Sequence, residues 1–232
     1  MPINAVVFDL EGPISSLTEE SLHQVIRSQV EYLKNLEIET AFSRLYREML
    51  DSMKLLEEKN PADSPKIHMF AELWKVVLKR FYAVNDEAAI MGAARNYMEE
   101  MIKATPPNED AKRIIEKLSG DGRKLVAFTP REEEYLDRYL EVYGLESFFG
   151  LKFSGSRTEH VYPNSDPFLL IQQALGLPSV ETIVVSNSAR CLQAANNAGM
   201  ISYWLMRGLK AERAAAEYSE NDLLLLEKIV SV

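Results

Sequence analysis

Short runs of apolar and β-branched residues mark five strands: 3–8 (INAVVF), 123–128 (RKLVAF), 151–153 (LKF), 182–186 (TIVVS) and 201–205 (ISYWL). From residue 108 onward these alternate with helical patterns. NEDAKRIIEKLSGDG reads as a capped helix closing in a Gly-rich turn. PREEEYLDRYLEVYG has Pro and acids in its first turn and Gly at its end, the arrangement helix termini favour. SDPFLLIQQALG and SARCLQAANNAG follow the same plan, and SENDLLLLEKIVSV reads as a capped closing helix. Strands alternating with helices predict an α/β fold, a doubly wound parallel sheet with right-handed crossovers. Ligands of such sheets bind outside the carboxyl ends of the strands.

Residues 15–105 follow another rhythm, with no convincing strand. Apolar side chains recur at helical spacing: Leu22, Ile26, Val30 and Leu33; Phe42, Leu45, Met49, Met53 and Leu56; Phe70, Leu73, Trp74, Val77 and Phe81; Ile90, Ala94, Tyr97 and Met101. The pattern predicts an insertion of about four helices, entered after the first strand and left at ATPPN. Its Met and aromatic stripes read as core. The expected organisation is therefore an α/β domain made of 1–14 and 106–232, interrupted by a helical domain over 15–105. An insertion beside a strand end is placed to act as a lid.

Composition narrows the classes. At 232 residues the chain is long enough to bury a real core, and 47% apolar with 26% charged residues is ordinary for a globular protein. The formal net charge of -9 argues against a general nucleic-acid binder, which needs a basic stripe. A small phosphorylated ligand stays open, since local charges and backbone dipoles can bind it. One cysteine, Cys191, excludes an internal disulfide framework and fits a reducing compartment. No apolar run is long enough to span a bilayer, and no signal peptide is visible. The expectation is a cytoplasmic protein without nucleic-acid or membrane partners; oligomeric state is not legible.

The candidate chemistry lies at the end of the first strand, where NAVVFDLEGP runs an apolar segment into Asp9, then Glu11, Gly12 and Pro13. The bland reading is a strand ending in a solvated loop. The sharper one is a nucleophilic carboxylate held at a strand tip.

FDLEG before a helical insertion, then LVAFTP, then IVVSNSARCLQAANNAGM, resembles the haloacid dehalogenase-like hydrolase superfamily over nearly the whole chain, with a helical cap at its first insertion point and a Rossmann-like core. The resemblance implies that Asp9 attacks a substrate, usually a phosphate ester, and forms an aspartyl-phosphate. It implies that Glu11 protonates the leaving group and then activates water. Thr129 takes the position of a hydroxyl on the phosphoryl oxygens, but Pro130 follows it and has no N–H to donate. The lysine expected in the third motif is replaced by Tyr162, ahead of Pro163, leaving Arg157 or Lys152 as cations that could reach in. In the fourth motif Ser186 and Asn187 stand where metal-holding acids belong, and Cys191 where a later Asp or Gly is common. The implied cofactor is Mg²⁺ on Asp9, Glu11 and the neutral carbonyl of Asn187, weakly held or absent. Arg157 and Asn187 are the candidate substrate-binding residues. Cys191 has no histidine partner, because His23 and His68 fall in the insertion and His160 in a loop, so it is not expected to be a nucleophile. Three readings follow: an Asp-nucleophile hydrolase acting on a small phosphorylated metabolite, a catalytically impaired binding or regulatory protein on the same scaffold, and a metal-independent 2-haloacid dehalogenase-like enzyme, against which Glu11 argues.

Overall fold

The computed structural model describes residues 2–207 and 214–230. It divides into two compact units, one of 1–17 with 106–232 and one of 18–105.

The first unit is an α/β sandwich. Strands β1 (Ala5–Asp9), β2 (Lys124–Thr129), β3 (Leu151–Ser154), β4 (Thr182–Ser186), β5 (Ile201–Leu205) and β6 (Tyr218–Glu220) form one sheet in the order β3-β2-β1-β4-β5-β6. Every pairing is parallel. β1 lies in the middle, with Asp9 opposite Phe128 of β2 and Phe8 opposite Val185 of β4. A parallel strand with both faces covered must be apolar throughout, and Ala5, Val6, Val7 and Phe8 are all fully buried. The core on one face gathers Val7, Val126, Phe128, Phe168, Ile171, Val184 and Leu192.

The second unit holds four helices, α1 (Glu19–Asn35), α2 (Phe42–Lys59), α3 (Phe70–Phe81) and α4 (Glu87–Ala104). The remaining helices belong to the first unit: α5 (Glu109–Gly120), α6 (Glu133–Val142), α7 (Asp166–Leu175), α8 (Ala189–Asn197) and α9 (Leu224–Val230). Thr18 caps α1 through a capping box with Ser21. Trp74 is buried against Tyr97, joining α3 to α4. The inward stripe of α2 differs from the apolar spacing. It is Leu45, Glu48, Met49, Ser52 and Leu56, while Met53 is 46% exposed. Two polar residues face inward because each finds a partner: the Ser52 hydroxyl donates to the Glu48 carbonyl, and Glu48 pairs with Arg44 and accepts from the Tyr82 hydroxyl.

β6 lies outside the five predicted strands. The closing helix begins later than SEND suggests, at Leu224, whose N–H bonds the Asp222 carboxylate; residues 231–232 lie outside the described residues. Among the described residues no helix is long and apolar enough to cross a membrane.

Candidate active site

The site forms where β1, β2 and β4 end side by side. β1 stops because the chain turns: Leu10 N–H bonds the Phe128 carbonyl, Ser15 N–H the Leu10 carbonyl, and Gly12 N–H the Ser15 carbonyl. Gly12 is required twice over. Its φ is +101°, and a Cβ there would lie 2.3 Å from Cγ of Asn187. The amide of Asn108 donates to the carbonyls of Gly12 and Pro13, fixing the far side of the turn.

Asp9 is the last residue of β1 and only 2% exposed. Its Oδ2 accepts a 2.6 Å hydrogen bond from the Ser186 hydroxyl, which in turn accepts the Ser188 N–H at 3.0 Å. The buried Oδ1 has no hydrogen-bond partner. Burial, then the nearby charge of Glu11, raises the Asp9 carboxyl well above its ordinary range, against the Ser186 and Cys191 side chains that bond it.

Glu11 points to the β2 side. Its Oε2 accepts from the Thr129 hydroxyl at 3.2 Å, and its Oε1 takes the Nε–H of Arg131 in a short ion pair. Thr129, fully buried, also accepts the Arg131 N–H at 3.3 Å, so its hydroxyl is spent inside the cluster. The structure thus brings Asp9, Glu11 and Thr129 to one strand-end cluster. Asn187 borders it, with its amide N–H on the Arg207 carbonyl at 2.8 Å.

Arg157 is elsewhere: its guanidinium is ion-paired to Glu133 on the surface. Lys152 is likewise bound to Asp137 and Glu146 at 2.7 and 2.9 Å. The cation beside the acids is Arg131, which the motif spacing did not single out. Its backbone is locked: the Ser154 hydroxyl donates to its carbonyl at 2.9 Å, and a Cβ on Gly155 would lie 2.3 Å from the Pro130 carbonyl oxygen. Its guanidinium lies 5.9 Å from the Tyr135 ring centroid. Burial opposes its charge, but Glu11 holds the guanidinium protonated even more firmly than usual. A signal for it existed. Arg131 precedes Glu132, Glu133 and Glu134 at a helix start, where the dipole disfavours a cation unless it has another partner.

Tyr162 and Cys191 are buried near Asp9. Burial and then the charge of Asp9 push both the Tyr162 phenol and the Cys191 thiol well up, so both are protonated at neutral pH. Cys191 is fully buried, beside Asp9.

The donor set does not fit a divalent cation. Mg²⁺ seeks six oxygens and is held by one or two carboxylates. Both oxygens of Glu11 are engaged, Ser186 turns its proton toward Asp9, and a protonated thiol is a poor ligand for so hard an ion. Among the described residues no three His, Cys, Asp or Glu side chains form a metal-holding group.

Residues 6–205 match the family described as haloacid dehalogenase-like hydrolase. The chain is 24% identical over 201 residues to pyrophosphatase PpaX of Halalkalibacterium halodurans, covering 86% of this chain and 82% of the relative. Its fold resembles a HAD phosphatase from Thermococcus onnurineus, with TM-score 0.72, 22% identity and coverage of 99% and 98% of the two chains. It also resembles YfnB of Bacillus subtilis, solved bound to magnesium, with TM-score 0.73, 15% identity and full coverage of both. The chain belongs to the haloacid dehalogenase-like hydrolase family.

Proposed function

We propose that this family member hydrolyses a small phosphorylated metabolite, with Asp9 as nucleophile and Glu11 as acid and base. The observation that carries the reading is the unpartnered Oδ1 of Asp9 at the tip of the central strand, with Glu11 held two residues on by Thr129 and Arg131. In the first step Oδ1 forms a bond to phosphorus and the bond to the leaving oxygen breaks; for this step Glu11 must leave its ion pair with Arg131 and take up a proton, which it gives to the leaving oxygen. In the second, a water loses its proton to the Glu11 carboxylate and attacks phosphorus, releasing phosphate and restoring Asp9. Splitting one displacement into two is the benefit of the covalent intermediate. Phosphoryl transfer depends mainly on positioning and charge neutralisation, and Arg131 supplies positive charge beside both acids. The relative named a pyrophosphatase and the neighbour named a phosphatase support the substrate class.

A second reading, a binding or regulatory protein with little turnover, is favoured by Pro130. This residue removes one backbone donor, and the neighbouring N–H of Arg131 is turned onto Thr129.

Phosphate release from a panel of small phosphate esters and pyrophosphate, with wild type beside Asp9→Asn and Glu11→Gln, separates the two. The hydrolase reading expects turnover that falls below detection in Asp9→Asn and by about 100-fold or more in Glu11→Gln. Turnover equal in wild type and Asp9→Asn, or none on any substrate, leaves the binding reading.

A further inference from the structure

We infer that this site does its electrostatic work without a divalent cation, Arg131 carrying the positive charge while Ser186 and Cys191 close the side of Asp9 that a metal's protein ligands would occupy. The inference deepens the hydrolase reading and rests on it for the choice of ligand.

Three features of the geometry lead there. The end of β4 presents a donor to Oδ2 of Asp9: the Ser186 hydroxyl gives its proton to Oδ2 at 2.6 Å, and its oxygen is taken up by the Ser188 N–H. The Cys191 thiol is buried beside the same carboxylate, in the first turn of α8. Asn187 has turned its N–H to the Arg207 carbonyl and lies against Gly12, whose missing Cβ makes room for it.

Arg131 is the second feature. A fixed +1 charge is already paired to Glu11, and a +2 ion brought onto the same carboxylate would be repelled by it at short range. The third is rigidity. The Arg131 carbonyl is bonded by Ser154, its N–H is on Thr129, and Pro130 fixes the turn, so the charge is presented without reorganisation. A guanidinium fork matches a phosphate's oxygens, which a point charge does not. The partner class is thus an oxyanion, a phosphate monoester or inorganic phosphate, bound by Arg131 next to Oδ1 of Asp9.

The test uses the full chain and three readouts. Inorganic phosphate is titrated calorimetrically in EDTA and again in millimolar MgCl₂, for wild type, Arg131→Met and Arg131→Lys. Mn²⁺ alone is titrated against wild type by electron paramagnetic resonance. Turnover of an aryl phosphate is read in both buffers. The expected result is phosphate binding of equal strength in both buffers, weakened roughly tenfold or more in Arg131→Met and partly restored in Arg131→Lys, with no bound Mn²⁺ signal. One Mn²⁺ bound per chain and lost in Asp9→Asn would overturn the inference. So would phosphate binding that needs Mg²⁺, or binding indifferent to Arg131→Met. Turnover that requires Mg²⁺ would sink the cation-free site while upholding the hydrolase. Phosphate bound through Arg131 in EDTA without turnover on any substrate would do the reverse.

Discussion

Asp9 shows what a poised carboxylate does to stability. Its side chain is buried and its acidity weakened by burial and by Glu11, so the folded state holds the proton more tightly than the unfolded chain does. A folded pKa above the unfolded one leaves no penalty at acid pH, where both states are protonated. Stability is then lost as pH rises from the ordinary value of 3.8 toward the raised one. Each pH unit between the two values is worth about 1.4 kcal/mol. Asn at this position keeps an oxygen for the Ser186 hydroxyl and carries no charge. In EDTA, Asp9→Asn should therefore melt above wild type at neutral pH, with the gap closing as the pH approaches 4. A gap that stays constant with pH would show that the carboxyl is ionised in the fold without penalty. The carboxylate would then be stabilised by something other than the contacts described.

At the scale of elements, the sheet was legible and the faces of some helices were not. A buried parallel strand is a continuous apolar run, and AVVF, LVAF and TIVV stand out against their Gly- and acid-rich surroundings. β6 did not, because YSE is too short to carry a pattern and owes its place to pairing with β5. The pairing of Arg131, though not its odd place before three acids, was illegible for a related reason: its partner Glu11 is 120 residues away, and only the register of β1 with β2 joins them. Helix α2 misled in the opposite way. Spacing put Leu45, Met49 and Leu56 inside, where they are, but also Met53, which is exposed; Glu48 and Ser52 complete the inward stripe, tolerated because Arg44 and Tyr82 satisfy Glu48. Burial, and then the bond to Glu48, raises the Tyr82 hydroxyl to about 12, so the bond persists through the physiological range. Tyr82→Phe, which strands one oxygen of Glu48, should cost about 1–2 kcal/mol in urea unfolding. Met53→Gln should change stability by less than about 0.5 kcal/mol. If Met53→Gln proved the more damaging, Met53 would belong to the buried stripe of α2 and the apolar spacing would have been the better guide there.

For the whole molecule the decisive fact is connectivity. Residues 18–105 form a continuous unit with its own core, whereas the α/β unit is interrupted: its central strand β1 comes from the first residues and pairs with β2 from the other side of the insertion. Joining Asp9 to Phe128 closes a long loop before any sheet contact rewards it, and such non-local pairings slow folding. The helical unit needs mainly contacts between neighbouring helices, and these form early. The chain carries two tryptophans, and they fall one to each unit, Trp74 in α3 and Trp204 in β5. Both indole N–H groups are buried without a hydrogen-bond partner, so a Trp→Phe change removes apolar area but no satisfied bond. Trp204→Phe thus leaves Trp74 as the sole reporter of the helical unit, and Trp74→Phe leaves Trp204 as reporter of the sheet. In stopped-flow refolding from urea, Trp74 fluorescence should recover at least tenfold faster than that of Trp204. Recovery of both at a single rate would mean that the helical unit waits for β1 to be captured by the sheet, and that the two units fold as one.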